Sequence, residues 1–346
     1  MRYRYTLFLM LLLTHLYAQQ PVPSESDMAA YLMVYFKDDT HSVHFALSKD
    51  GYTFSDVNQG NPVIAGDSIA EQKGIRDPYI TRGPDGYFYM AMTDLHIFGQ
   101  QKGYRSTEWE RDGREFGWGN NKNLVLMKSP DLIHWTHTLI AVDQAFPGWE
   151  GIGCAWAPQL IYDEQNEQMM VYFTLRFRNG LSQMYYSFLN KECTAMDSPP
   201  RLLFQHPQYN IANIDGDITR VNDQFHLFYV SHDGIPGIKQ AVSNSLVGAY
   251  AYDPSWYDPE PQACEAPTVW KRIGEEKWVL MYDIYGINPH NFGFSETQDF
   301  KTFTNLGRFN EGAMKTTNFV SPKHGAVIHL TAAEATQLEN YWQHES

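Results

Sequence analysis

A short pattern that returns five times along the chain restricts it to very few architectures. In its first copy Asp77 precedes Pro78, the apolar Ile80 follows three residues on, and a Gly-Pro-Asp-Gly turn leads into the apolar run at residues 87–92. Trp156 opens the second copy, with its run at 168–174, Asp215 the third, with a run at 224–230, and Glu265 the fourth, with a run at 277–282. His324 opens a fifth copy too near the C-terminus to have a following strand. The missing strand lies at the other end, where residues 31–36 read Tyr-Leu-Met-Val-Tyr-Phe and lack a partner before them. The five positions are 79, 59, 50 and 59 residues apart, close to the length of a four-stranded propeller blade. The longer first gap holds an insertion at residues 95–121. The expectation is an all-β fold, a five-bladed β-propeller whose ring is closed by the C-terminal strand pairing with the N-terminal blade.

The joints agree. Ser48, Ser129 and Ser295 each end a strand and lead through an Asp-containing turn to an aromatic residue, and Asp, Gly and Pro are turn formers for backbone reasons. Helical periodicity is convincing only near the end of the chain. The domain reading is therefore a leader at 1–18, a lead-in at 19–30, the propeller at 31–331 and a short helical tail at 332–346. The leader carries Arg2 and Arg4, then an apolar run too short to span a membrane, then Ala18 before Gln19, which reads as a secretory signal. Export to the periplasm or the medium follows, without membrane insertion. Three cysteines, Cys154, Cys193 and Cys264, are too few for a disulfide framework. A net charge of -14 argues against nucleic acid and anionic membranes. Oligomeric state is open.

Inner strands of a propeller start at the same face, so Asp77, Trp156, Asp215, Glu265 and His324 converge around one opening. Three carboxylates, an indole and an imidazole are costly to bury and do not stabilise a fold. They suit glycoside hydrolysis, in which one carboxyl group is held protonated and another ionised.

With Asp77-Pro78, Ile214-Asp215-Gly216-Asp217-Ile218 and Glu265-Ala266-Pro267 in this order, the chain resembles glycoside hydrolase family 43, whose clan also holds invertase-like and levansucrase-like enzymes. The resemblance implies an inverting glycosidase without a required cofactor. Asp77 would be the general base, Glu265 the general acid, and Asp215 the group that orients Glu265 and keeps it protonated. It also leaves room for a structural calcium ion on the axis. The expected substrate is an oligo- or polysaccharide, and the expected activity is exo-acting release of arabinofuranose or xylose from plant-type glycans. Alternatives are a clan relative acting on galactose or fructose glycosides and a non-catalytic carbohydrate-binding propeller. Trp156, Asp217, Arg76, His324 and His290 are the expected substrate contacts. Trp156 also suits a core wall, Asp217 a cap on a strand start, and Arg76 the opposite face of its strand.

Overall fold

The computed structural model describes residues 22–345, so the expected leader lies outside the described residues. Blade I contains β1 (Met28–Phe36), β2 (His44–Ser48) and β3 (Thr53–Asp56), and blade II β4 (Ile75–Arg82), β5 (Phe88–Asp94), β6 (Asn123–Ser129) and β7 (Thr136–Ala141). Blade III contains β8 (Ile152–Asp163), β9 (Gln168–Phe177), β10 (Gln183–Phe188) and β11 (Arg201–Phe204). Blade IV contains β12 (Asn213–Val221), β13 (Gln224–Ser231), β14 (Gly237–Ser243) and β15 (Ala251–Asp253). Blade V contains β16 (Glu265–Lys271), β17 (Trp278–Ile284), β18 (Asn291–Thr297) and β19 (Thr304–Arg308). The two-residue β20 (Lys315–Thr316) then lies parallel to β3 at the outer edge of blade I, and β21 (Lys323–Thr331) supplies that blade's inner strand. The ring closes as the sequence implied. β1 pairs antiparallel with β21, Tyr31 opposite His329 and Val34 opposite Ala326. β1 begins at Met28, three residues earlier than the apolar run alone suggested.

Both faces of β1 are covered, which explains a run with no polar alternation. Leu32, Val34 and Phe36 pack toward blade II with Ile80, Phe88 and Met90. Tyr31, Met33 and Tyr35 pack toward blade V with Met281, Phe292 and Phe294. Each such side chain contributes about 1.5–3 kcal/mol by leaving water. The turns after β2, β6 and β18 share one geometry, with Asp50, Asp131 and Asp299 accepting backbone N–H bonds two and three residues on. The C-terminal helix, Ala332–Glu345, follows β21 directly. A capping box starts it, with Glu334 N–H donating to Thr331 Oγ1 and Thr331 N–H to Glu334 Oε2. Arg82 of β4 pairs with Glu334 at 2.8 Å, and Leu338 is buried in the core.

Every inner strand carries one extra residue near its start, and each of these bulges contains a non-glycine residue in the left-handed region. These are Asp77, Ala157, Asp215, Ala266 and His324. A bulge breaks the two-residue alternation and re-aims the side chains beside it. Aligned on their bulges, blades III and V are offset by one residue from the sequence pattern. The counterparts of Asp77 are Ala157 and Ala266, whereas Trp156 and Glu265 stand level with Arg76, Ile214 and Lys323. The carboxylate of Glu265 reaches the axis from one residue earlier, with the help of its extra methylene.

Candidate active site

His324 is at the centre. Its Nδ1 lies 2.9 Å from Asp77 Oδ1, and its Nε2 lies 3.0 Å from Glu265 Oε1 and 3.7 Å from Asp215 Oδ2. One imidazole is thus held between two carboxylates on opposite sides, with a third beside it. Burial opposes its protonation, but the Asp77 and Glu265 charges outweigh that and raise its pKa well above the ordinary histidine value. Below the bulges the axis narrows to a cavity of about 20 Å³ lined by Pro78, Tyr79, Pro158, Gln159 and Pro267. That is room for about one water molecule, and Asp77, Asp215 and His324 line the same space.

Asp77 accepts a 2.6 Å bond from Thr93 Oγ1, and Thr93 in turn accepts the N–H of Ala157 at the bulge of the next blade. Thr174 Oγ1 caps Asp215 N–H and Asp283 Oδ2 caps His324 N–H in the same way. The bulges at Ala157, Asp215 and His324 are thereby each pinned by the second strand of the neighbouring blade. Burial works against ionising Asp77, but His324, Arg76 and Thr93 hold its carboxyl below the usual range.

The other two acids are shifted in opposite directions. Burial pushes the Asp215 carboxyl upward and the Glu265 and Asp77 charges add to it, while His324 opposes. Burial also penalises ionised Glu265, yet Lys323 and His324 pull its carboxyl well below the ordinary value. The surroundings thus push Asp215 up and Glu265 down from the ordinary carboxylate value. The physical reason is Lys323, which pattern reading passed over. Its Nζ lies 3.2 Å from both Glu265 Oε1 and Asp283 Oδ2, and its side chain is only 4% exposed.

Other expected contacts are re-placed. Asp217 does not face the opening: it is buried, accepts the Val269 N–H at 3.1 Å and bonds Thr219, so it caps β16 across the blade interface. Burial pushes its carboxyl up to about 7 against those bonds. Arg76 is committed to Asp38 at 2.8 Å and lies over the Phe36 ring, with its charge close enough to act on Asp77 and Glu265. His290 stands on the far side of Asp38, Nε2 to Oδ2 at 3.5 Å. Asp38, another residue the pattern did not flag, joins these two at the rim. Trp156 is fixed in the crater wall, its Nε1 donating to Gly119 O and Arg176 lying 4.7 Å over its ring. The insertion supplies the exposed indole beside it, Trp118, edge-on at 5.8 Å.

Asp215, Glu265 and His324 each offer an atom within 4.8 Å of the others. The set supplies fewer ligands than the about six to eight that calcium takes, so waters would have to complete the shell of an ion held there. An imidazole engaged by carboxylates at both nitrogens presents N–H bonds where an ion would need lone pairs.

Glycosidic bond hydrolysis needs two carboxyl groups on opposite faces of a sugar. Asp77 and Glu265 meet the His324 imidazole at its two different nitrogens, so the ring stands between their carboxyl groups. Among solved structures the propeller matches an endo-1,4-beta-xylanase from Bacteroides thetaiotaomicron at 10% identity, covering 84% of this chain and 94% of that one, with a TM-score of 0.57. An exo-1,5-alpha-L-arabinanase from a bovine ruminal metagenomic library matches at 15%, covering 80% and 93%, with a TM-score of 0.54. An alpha-L-arabinanase from Cellvibrio cellulosa, complexed with arabinohexaose, matches at 14%, covering 80% and 91%, with a TM-score of 0.52. At these identities the likeness establishes the fold. No curated protein sequence matches the chain. The family model related to glycoside hydrolase family 43, described as a probable glycosyl hydrolase domain, matches residues 26–336. A match over that length, together with the five blades, places the chain in this family of glycosyl hydrolases.

Proposed function

We propose that the protein is an exported, inverting, exo-acting glycoside hydrolase that releases arabinofuranose or xylose from plant-type glycans. The observation that carries the reading is His324 held between Asp77 and Glu265 with Asp215 alongside. A binding propeller has no use for such a set, because buried like charges around one imidazolium are costly to assemble. The neighbours that act on xylan and arabinan support the sugar class, and the crater wall built by Trp156 and the insertion supports attack at a chain end. The secretory leader read at residues 1–18 supports export, and no described helix is long and apolar enough to cross a membrane.

In this reading Asp77, ionised, takes a proton from water as the oxygen adds to the anomeric carbon. The glycosidic C–O bond breaks on the opposite face, where Glu265 hands a proton to the leaving oxygen. Lys323 and His324 hold the Glu265 carboxyl low, so in this reading its proton is supplied by the neighbouring imidazolium, the His324 Nε2–H passing to Glu265 Oε1 across 3.0 Å. His324 keeps the Nδ1–H directed at Asp77. Asp215, whose carboxyl is pushed upward by burial and by the Glu265 and Asp77 charges, stands beside the same imidazole with Oδ2 3.7 Å from Nε2.

The test is hydrolysis of nitrophenyl α-L-arabinofuranoside, β-D-xyloside and β-D-galactoside by the wild type and by Asp77→Asn. The expected outcome is cleavage of one of the first two with at least a ~100-fold loss in the variant, the scale of a positioned base. Cleavage of the galactoside alone would move the enzyme to another sugar, and a fully active variant would remove Asp77 from its role.

A further inference from the structure

The three cations at the centre of this acidic chain have unequal tasks. Arg76 is paired with Asp38 and His324 with two carboxylates, but Lys323 is shared between an acid at the sugar-facing surface and one that is wholly buried. Its second partner, Asp283, is incompletely used. Asp283 Oδ2 accepts the His324 N–H and faces Lys323, whereas Oδ1 is buried with no hydrogen-bond partner. An orphaned carboxylate oxygen is expensive, and the other oxygen of the same carboxylate faces an ammonium that has three hydrogens to place. The other titratable or charged groups that face Glu265 include His324 on β21, Arg76 on β4, Asp215 on β12, His232 after β13 and Tyr285 after β17. His324 also meets both acids, through Nε2 at Glu265 and its backbone N–H at Asp283, whereas Lys323 brings one charged atom to both.

We propose that Lys323 is the positioning residue that decides when Glu265 can act as a proton donor: its ammonium clamps the Glu265 carboxylate in the free protein and turns to the open oxygen of Asp283 when a sugar occupies the site. While clamped, Glu265 is too weak a base to draw the proton from His324. Once the ammonium has turned, Glu265 loses its strongest counter-charge, its proton affinity rises, and the His324 Nε2 proton moves onto Glu265 Oε1. The lysine remains charged throughout, so only that one proton is displaced. Since the clamp is broken by occupancy, Glu265 is prevented from carrying a proton before there is a leaving oxygen to receive it. This inference rests on the glycosidase reading for its purpose, but its charge arrangement is measurable without any substrate.

The experiment is ¹³C-carboxyl NMR titration of the full chain with labelled glutamate, the Glu265 signal being identified by its loss in Glu265→Gln. In Lys323→Met the Glu265 midpoint is expected to rise by about one to two pH units, as for loss of an opposite charge at contact distance. Lys323→Arg should keep it near the wild-type position. Asp283→Asn separates a clamp from general disruption, because it removes a negative charge and the place to which the ammonium turns. There the Glu265 midpoint should stay at or below the wild-type value, and with a cleaved glycoside kcat should fall with little change in KM. An unmoved Glu265 midpoint in Lys323→Met, or a rise in Asp283→Asn, would overturn the proposal. Should Lys323→Met fail to fold, the Asp283→Asn result still decides. A raised midpoint in Lys323→Met from a protein that cleaves no glycoside would keep the clamp and reject hydrolysis.

Discussion

His324 is where the chemistry and the stability of the site meet. Its imidazolium is held by Asp77 and Glu265, and those charges raise its folded-state pKa well above the ordinary value near 6.5. A group whose pKa is raised on folding contributes stability that is fully present below the unfolded value and is lost as pH rises through the folded one. Replacing His324 with Gln should therefore lower the urea midpoint most below about pH 6.5, with the gap to wild type narrowing on the alkaline side. The measurement is the denaturation midpoint of both proteins across pH 5–10, and a gap that grows with pH would contradict a charged His324. Asp77 and Glu265 act with the opposite sign. Their lowered values give stability that is present above the unfolded carboxylate range and lost as pH falls.

At the level of the strand, the site depends on five bulges, and the most exacting is on β21. Gly325 follows the bulge residue there, and a Cβ added to it would lie 2.5 Å from the Val34 carbonyl of β1, a backbone atom that cannot give way. Gly325→Ala should thus push apart the pair of strands that closes the ring, costing about 1–3 kcal/mol, read as a lower thermal midpoint with loss of activity. Wild-type stability in this variant would show that the closure tolerates more separation than the register allows. The ring and its closure were legible in the sequence because apolar runs at blade spacing leave few other ways to bury both faces of residues 31–36. The alignment within the inner strands was legible only in part. Pro78, Pro158 and Pro267 each follow a bulge residue, so counting from the prolines, rather than from the polar residue ahead of them, gives Asp77, Ala157 and Ala266 as equivalents. Asp217 was misplaced for the same reason, since the bulge at Asp215 turns it away from the opening. Lys323 gave no local signal, as its partners Glu265 and Asp283 lie on other strands and meet it only when the ring closes.

Across the whole molecule, a chain with a net charge of -14 places Arg76, Lys323 and His324 together on its axis, where acidic side chains would otherwise repel one another. The cations are all paired, which leaves a site suited to a neutral sugar rather than an anionic one. Propeller closure is what brings this about: His324 and Lys323 come from the last strand of the chain and Asp77, Asp215 and Glu265 from three other blades. The proposed inverting reaction depends on two carboxylates kept apart by an imidazole, and product stereochemistry tests that separation directly. The decisive measurement is ¹H NMR of the sugar first released from a cleaved glycoside, taken before mutarotation. The expected result is the anomer opposite to that of the substrate; release of the same anomer would contradict the assignment of Asp77 and Glu265 as a widely spaced base and acid.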